Sequence, residues 1–130
     1  MTSYRTLIVE DSRTFREALK EMLQELYPFM IVDEATDAKE AFGKVNKRPP
    51  DLIFMDISLP GESGLDLTKR IKEKFPQTVI IIVTNYDLPE YREAAGQYGA
   101  SYFLSKGASS VNEISALLDT LLAEKYPHPT

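Results

Sequence analysis

A chain of 130 residues, 43% apolar and 27% charged, has the size and composition of one folded domain and excludes an intrinsically disordered segment. The net charge of −5 argues against nonspecific binding to a phosphate backbone, which rests on clustered Lys and Arg; a solvated acidic surface is the plainer reading. Lack of cysteine rules out a disulfide framework, a thiolate nucleophile and a cysteine-built metal site, while no apolar run nears the roughly 20 residues of a membrane span and no signal peptide opens the chain, so the expected location is the cytoplasm.

Residues 6–9 are a short β-branched and apolar run that ends in the acidic pair Glu10-Asp11. Ser12 can cap a helix with apolar positions Phe15, Leu19, Met22 and Leu26, which stops near Tyr27 before Pro28. Residues 29–32 form a second strand candidate. Asp37 and Glu40 make a capping box for a helix with Ala38, Ala41, Phe42 and Val45 inward. Pro49 and Pro50 close it and deliver the chain to a strand at 52–55, buried on both faces, with one carboxylate, Asp56, at its end. A Pro60-Gly61 turn follows, and Ser63 caps a third helix carrying Leu65, Leu67, Ile71 and Phe75, which Pro76 ends.

The run of Val and Ile over 78–83 reads as a strand covered on both faces, and it leads into Thr84. Asp87 is expected to cap a fourth helix with Pro89 in its first turn, Tyr91, Ala94, Ala95 and Tyr98 on its inner face, and Gly99 at its end. Residues 102–104 form a short fifth strand that runs into Ser105-Lys106. Ser110 and Glu113 make a second capping box ahead of a helix with Ile114, Leu117, Leu118, Leu121 and Leu122 inward. Strand and helix therefore alternate five times. Parallel strands need right-handed crossovers, and each helix can supply one, so the fold expected is α/β, a five-stranded parallel sheet with helices on both faces. Residues 1–125 are expected to form the domain and 126–130 a flexible tail in which His128 is solvated.

The strand ends then collect one chemistry. Glu10 and Asp11 follow the first strand, Asp56 the third, Thr84 the fourth and Lys106 the fifth, and parallel strands bring these to one edge, where α/β sheets place their sites. Singly, each residue has a plainer role: an acidic pair beside a helix cap, a solvated lysine, a threonine in a turn. Together, three carboxylates repel one another and call for a cation; oxygen-only ligands with room for water suit Mg²⁺. A carboxylate such as Asp56 can act as a nucleophile toward phosphorus and become an aspartyl phosphate, with Lys106 and the Thr84 hydroxyl serving further phosphoryl oxygens.

The residues so ordered resemble the receiver domain of bacterial two-component response regulators, from Tyr4 to about Lys125. Glu10-Asp11 is similar to the family's acidic pair, Asp56 in LIFMDISLPGESG to its phospho-acceptor motif, Thr84 to its switch hydroxyl, Lys106 to its lysine and Phe103 to its rotating aromatic. The resemblance implies a doubly wound fold in the flavodoxin-like strand order 2-1-3-4-5. It also implies Mg²⁺-dependent phosphoryl transfer from a histidine kinase or phosphotransfer protein to Asp56. By the same resemblance Asp11, Asp56 and the Ser58 backbone carbonyl bind the metal directly and Glu10 binds it through water. Thr84 then moves toward the phosphoryl group, Phe103 turns inward, and the fourth helix, fifth strand and fifth helix present a changed surface to a target, or to a second copy in a homodimer. Receiver domains catalyse only their own phosphorylation and dephosphorylation.

Three positions, in two places, depart from the pattern. Asn85 and Tyr86 follow the switch hydroxyl where a small residue is common, which predicts crowding of the hydrolytic water and slow self-dephosphorylation tuned by Ser58, Asn85 and Tyr86. Gly107 stands where Pro often follows the lysine, so a looser loop is expected there. Three rival readings have less support. A degenerate receiver acting as a constitutive protein-binding module usually lacks the acceptor, the pair or the lysine, and all are present. A haloacid-dehalogenase-like phosphatase wants a second Asp at Ser58. A flavodoxin-like carrier wants a phosphate loop where DSRTF stands. The kinase, the output and any further domain are not named by these residues.

Overall fold

Parallel strands that are covered on both faces can share one sheet only if the helices that connect them are divided between its two sides. The structure, a computed structural model, describes residues 3–107 and 111–125. In chain order it contains β1 (Tyr4–Val9), α1 (Arg13–Leu26), β2 (Met30–Ala35), α2 (Ala38–Lys47) and β3 (Leu52–Met55). There follow α3 (Gly64–Lys74), β4 (Val79–Thr84), α4 (Pro89–Gln97), β5 (Tyr102–Ser105) and α5 (Val111–Lys125). All pairings are parallel and the strand order is β2-β1-β3-β4-β5, as expected.

Alternation along the strands sends side chains to two cores. Leu7, Val9, Ile53, Met55, Ile80 and Ile82 meet α2, α3 and Ala95 of α4 on one side. Tyr4, Ile8, Leu52, Phe54, Ile81 and Val83 meet α1 and α5 on the other. Each such Leu, Ile or Phe, fully buried, contributes about 1.5–3 kcal/mol of transfer free energy. On α1 the fully buried leucines are Leu19 and Leu23, whereas Leu26, expected inward, is 45% exposed. The inward stripe of this helix therefore runs through Leu23, and Leu26 lies beyond it in the last turn.

Helix starts follow their caps. Ser12 Oγ accepts from the Phe15 N–H at 3.4 Å, Asp37 Oδ1 from Glu40 at 2.7 Å and Ser63 Oγ from Leu65 at 3.1 Å. The Glu40 carboxylate returns one residue early, to the Thr36 N–H at 2.7 Å. At α4 the expectation fails: Leu88 is the N-cap without a side-chain bond, and Pro89 opens the helix. Asp87 instead takes the Arg92 guanidinium in a two-point ion pair, with Nη2 3.0 Å from Oδ2. A bidentate charged pair outweighs a single cap bond. The Ser110 cap, the tail at 126–130 and His128 lie outside the described residues.

Strand limits shift in one informative place. β2 runs to Ala35, three residues past the expected end, because its whole length pairs with β1 in register from Tyr4↔Met30 to Val9↔Ala35. As an edge strand it tolerates the polar Asp33 and Glu34, which an apolar-run criterion rejects.

Between β3 and α3 the chain turns through Gly61, whose φ of +86° suits glycine, and then passes close to itself at Gly64. A Cβ there would stand 1.9 Å from the Asp56 carbonyl oxygen and 2.8 Å from its carbon. The Gly64 N–H meanwhile donates to the Ile57 carbonyl at 2.9 Å, so the approach is fixed by backbone. Gly64→Ala is accordingly expected to lower stability by about 1–3 kcal/mol, the usual range for overpacking, read as a reduced urea midpoint with an unchanged slope.

Candidate functional site

Each residue of the expected constellation stands at or just past the end of its strand, and backbone bonds hold it there. The Glu10 N–H donates to the Ala35 carbonyl at 3.0 Å, the Asp56 N–H to Val9 at 3.0 Å and the Lys106 N–H to Thr84 at 2.9 Å. These bonds extend the ladders one step beyond the regular strands, so the first residue after each strand is positioned as firmly as the strand itself. Val9 pairs with Met55, and Met55 with Ile82, which places Thr84 at the same edge.

The side chains converge there. Lys106 Nζ lies 2.6 Å from Glu10 Oε1 and 3.3 Å from Asp56 Oδ2. It also sits 4.5 Å from the centre of the Phe15 ring, whose π-face gives the ammonium an apolar but attractive wall. Glu10 is 2% exposed and Asp56 5%. Asp11 is exposed at the mouth. The Ser12 N–H donates to Glu10 Oε2 at 2.9 Å, and the Ser58 N–H to Asp56 Oδ1 at 3.3 Å.

Burial raises the pKa of Glu10, and the charge of Asp56 adds to this; the bonds from Lys106 and Ser12 offset them in part. Burial alone would pull Lys106 down, but its hydrogen bond to Glu10 and the charges of Asp56 and Glu10 prevail and raise it. The ammonium is thus firmly charged, while the acids around it outnumber it. One ligand atom from each of Glu10, Asp11 and Asp56 can be chosen so that all lie within 4.8 Å of one another. An all-oxygen set of that span, with one member open to water, fits a hard divalent cation.

The remaining expected residues are placed less centrally. Buried Thr84 uses its Oγ1 to accept from the Tyr86 N–H at 3.2 Å. Asn85 and Tyr86 are exposed, and the Tyr86 ring meets Tyr91 edge to face, with centroids 6.5 Å apart. Phe103 packs against the α3 and α4 side of the sheet under the Arg92 guanidinium, 4.8 Å from its ring centre. Ser58 is exposed and contributes its N–H to Asp56.

Sequence reasoning missed a second layer. Phe15, read only as an apolar helix position, faces Lys106. Arg16 donates from Nη1 to the Glu10 carbonyl at 2.9 Å, and its Nε lies 3.2 Å from Glu34 Oε1. Glu34 belongs to the part of β2 that the apolar run did not reveal, so the second strand's carboxyl end was left out of the constellation. Pairing of β2 with β1 along its whole length brings Glu34 to the site edge.

A family profile described as "Response regulator receiver domain" matches residues 6–119. The oxygen regulatory protein NreC of Staphylococcus carnosus (strain TM300) is 36% identical over 126 residues, 96% of this chain and 58% of that protein. This chain thus spans little more than half the length of that relative. A LuxR-family two-component response regulator from Aurantimonas sp. SI85-9A1 superposes with a TM-score of 0.84 at 28% identity, covering 95% of this chain and 87% of that one. A CheY-like receiver domain from Methanospirillum hungatei JF-1, at 23% identity, shares the fold with a TM-score of 0.86 over 98% of this chain and all of its own. With the profile spanning most of its length, this chain belongs to the receiver domains of two-component response regulators.

Proposed function

We propose that this domain is a phospho-accepting switch in which Asp56 is the nucleophile. The observation that carries the reading is Lys106 Nζ lying within 3.3 Å of buried Asp56 beside two further acids, a charge arrangement prepared for an oxyanion-rich group. An Asp56 carboxylate oxygen forms an O–P bond as the N–P bond of a phosphohistidine donor, on a histidine kinase or phosphotransfer protein, breaks; the product is an acyl phosphate. Asp11, Asp56 and the Ser58 carbonyl are the groups that would hold Mg²⁺, with Glu10 acting through water. The bound cation would supply positive charge against the phosphoryl oxygens.

Lys106 neutralises another phosphoryl oxygen. For that it exchanges one of its carboxylate contacts for the incoming group, which its flexible stem permits. Thr84 Oγ1 already accepts from the Tyr86 amide, so its own O–H is the hydrogen free to donate, and the Tyr86 amide helps to aim it. Phe103 turns inward as Thr84 moves, and the surface of α4, β5 and α5 changes for a target or for a second copy of the chain. No output activity is assigned to these residues, which span 58% of the length of NreC. Residues 1–125 act as the receiver unit in the cytoplasm. Among the described residues no helix is long and apolar enough to cross a membrane.

Three measurements test the reading. A small-molecule phosphodonor with Mg²⁺ is expected to add one phosphoryl group by intact mass and none to Asp56→Asn; steady turnover of a phosphoester without an adduct would point to a phosphatase. Saturating Mg²⁺ at about 100 times its dissociation constant is expected to stabilise the fold by about 2.7 kcal/mol, seen as a raised Tm that vanishes with chelator. Tyr86→Ala is expected to shorten the phosphoryl lifetime several-fold by opening a path for water, and an unchanged lifetime would refute the tuning role of Tyr86.

A further inference from the structure

Arg16 ties the acidic pocket to the end of β2, and its bonds act on the direction of the pocket's own backbone. Its side chain, 15% exposed, reaches from α1 with Nε 3.2 Å from Glu34 Oε1, while Nη1 donates to the Glu10 carbonyl at 2.9 Å. Lys20 Nζ takes the second Glu34 oxygen at 3.2 Å, so Glu34 is fixed from two turns of the same helix. On the other side of the Glu10 Cα, its N–H is held by the Ala35 carbonyl at 3.0 Å.

The two peptides that flank the Glu10 Cα are therefore both pinned, one through its N–H and the next through its C=O. Pinning two consecutive peptide planes fixes φ and ψ of Glu10. It also fixes the plane from which the Asp11 Cα departs. The directions in which both carboxylates leave the backbone follow from those bonds. The guanidinium does this with a rigid fork: N–H groups on different nitrogens of one plane serve Glu34 and the Glu10 carbonyl at once, whereas an ammonium offers rotatable donors from a single nitrogen. By charge alone, a cation held beside three carboxylates works against the binding of a metal ion. Its presence there is better accounted for by the hydrogen bond it makes than by the charge it brings.

We propose that Arg16 is a positioning residue which, braced by Glu34, orients Glu10 and Asp11 for a divalent cation. This rests on the metal-binding reading of the pocket given above. The proposal and plain electrostatics predict opposite signs. Removing a positive charge should tighten Mg²⁺ binding if Arg16 acts only through space, and loosen it if Arg16 holds the backbone.

The test is isothermal titration of Mg²⁺ into the whole chain. Arg16→Gln is expected to raise the Mg²⁺ Kd about tenfold, the low end for residues that orient metal ligands. Arg16→Lys is expected to recover part of the loss, and Glu34→Gln to lose affinity in the same direction. Lys20→Met removes an equal charge from the same Glu34 without touching Glu10, and is expected to leave the Kd unchanged or slightly lowered. Far-UV circular dichroism and the urea midpoint in chelator establish that each variant is folded; should Arg16→Gln fail this check, Arg16→Lys decides the matter, because it keeps the charge and plain electrostatics then predicts an unchanged Kd. Equal or tighter binding by Arg16→Gln, or the same loss in Lys20→Met, overturns the proposal. Absence of Mg²⁺ binding by the unsubstituted protein overturns the metal reading itself and the proposal with it.

Discussion

Backbone hydrogen bonds continue one residue past the ends of β1, β3 and β4's neighbour β5, and the site depends on this continuation. Glu10, Asp56 and Lys106 each make a ladder bond to the adjacent strand although none lies within a regular strand or helix. A parallel ladder has evenly spaced bonds and a register set by buried side chains, so a residue attached to it inherits the rigidity of the core. Asp56 and Glu10 stand on short stems from that ladder, and Lys106 reaches both across its four-carbon stem. The core layers on both faces of the sheet thereby set distances at its edge.

The charges at that edge are unequal by design of the fold's topology. Three acids stand within a few ångströms of one another with one ammonium between two of them, and burial makes the imbalance matter. Phe15 supplies Lys106 with a wall that attracts a cation without neutralising it. Arg16 contributes to the backbone of Glu10 while its charge is directed to Glu34. The pocket thus keeps a surplus of negative charge at its mouth, where Asp11 is exposed. The same constraint recurs at the β3–α3 connection, where Gly64 leaves room for the Asp56 carbonyl and Asp56 can keep its ladder bond to Val9.

How far this could be read from residues varies with the kind of signal. Buried strands announce themselves as apolar runs, and their alternation with capped helices leads to the parallel sheet; its strand order follows from the family resemblance. The edge strand β2 was cut short because Asp33 and Glu34 look like loop residues until pairing with β1 is known. Asp87 looked like a cap because Asp before a Pro-led helix usually is one; Arg92, one turn into that helix, competes for it. Leu26 fits helical spacing as well as Leu23 does, and only the position of β2 and α5 decides which of them is covered.

The order of acidic, hydroxyl and basic residues after successive apolar runs is local information, and with the strand-helix alternation it points to the fold class, to the edge at which α/β sheets place chemistry and to Glu10, Asp11, Asp56, Thr84 and Lys106 as its candidates. Partnership is not local. That Lys106 bridges Glu10 and Asp56, that Phe15 stacks on it and that Arg16 reaches Glu34 were decided by tertiary structure alone, because each contact joins elements whose spacing in sequence carries no record of their distance in space.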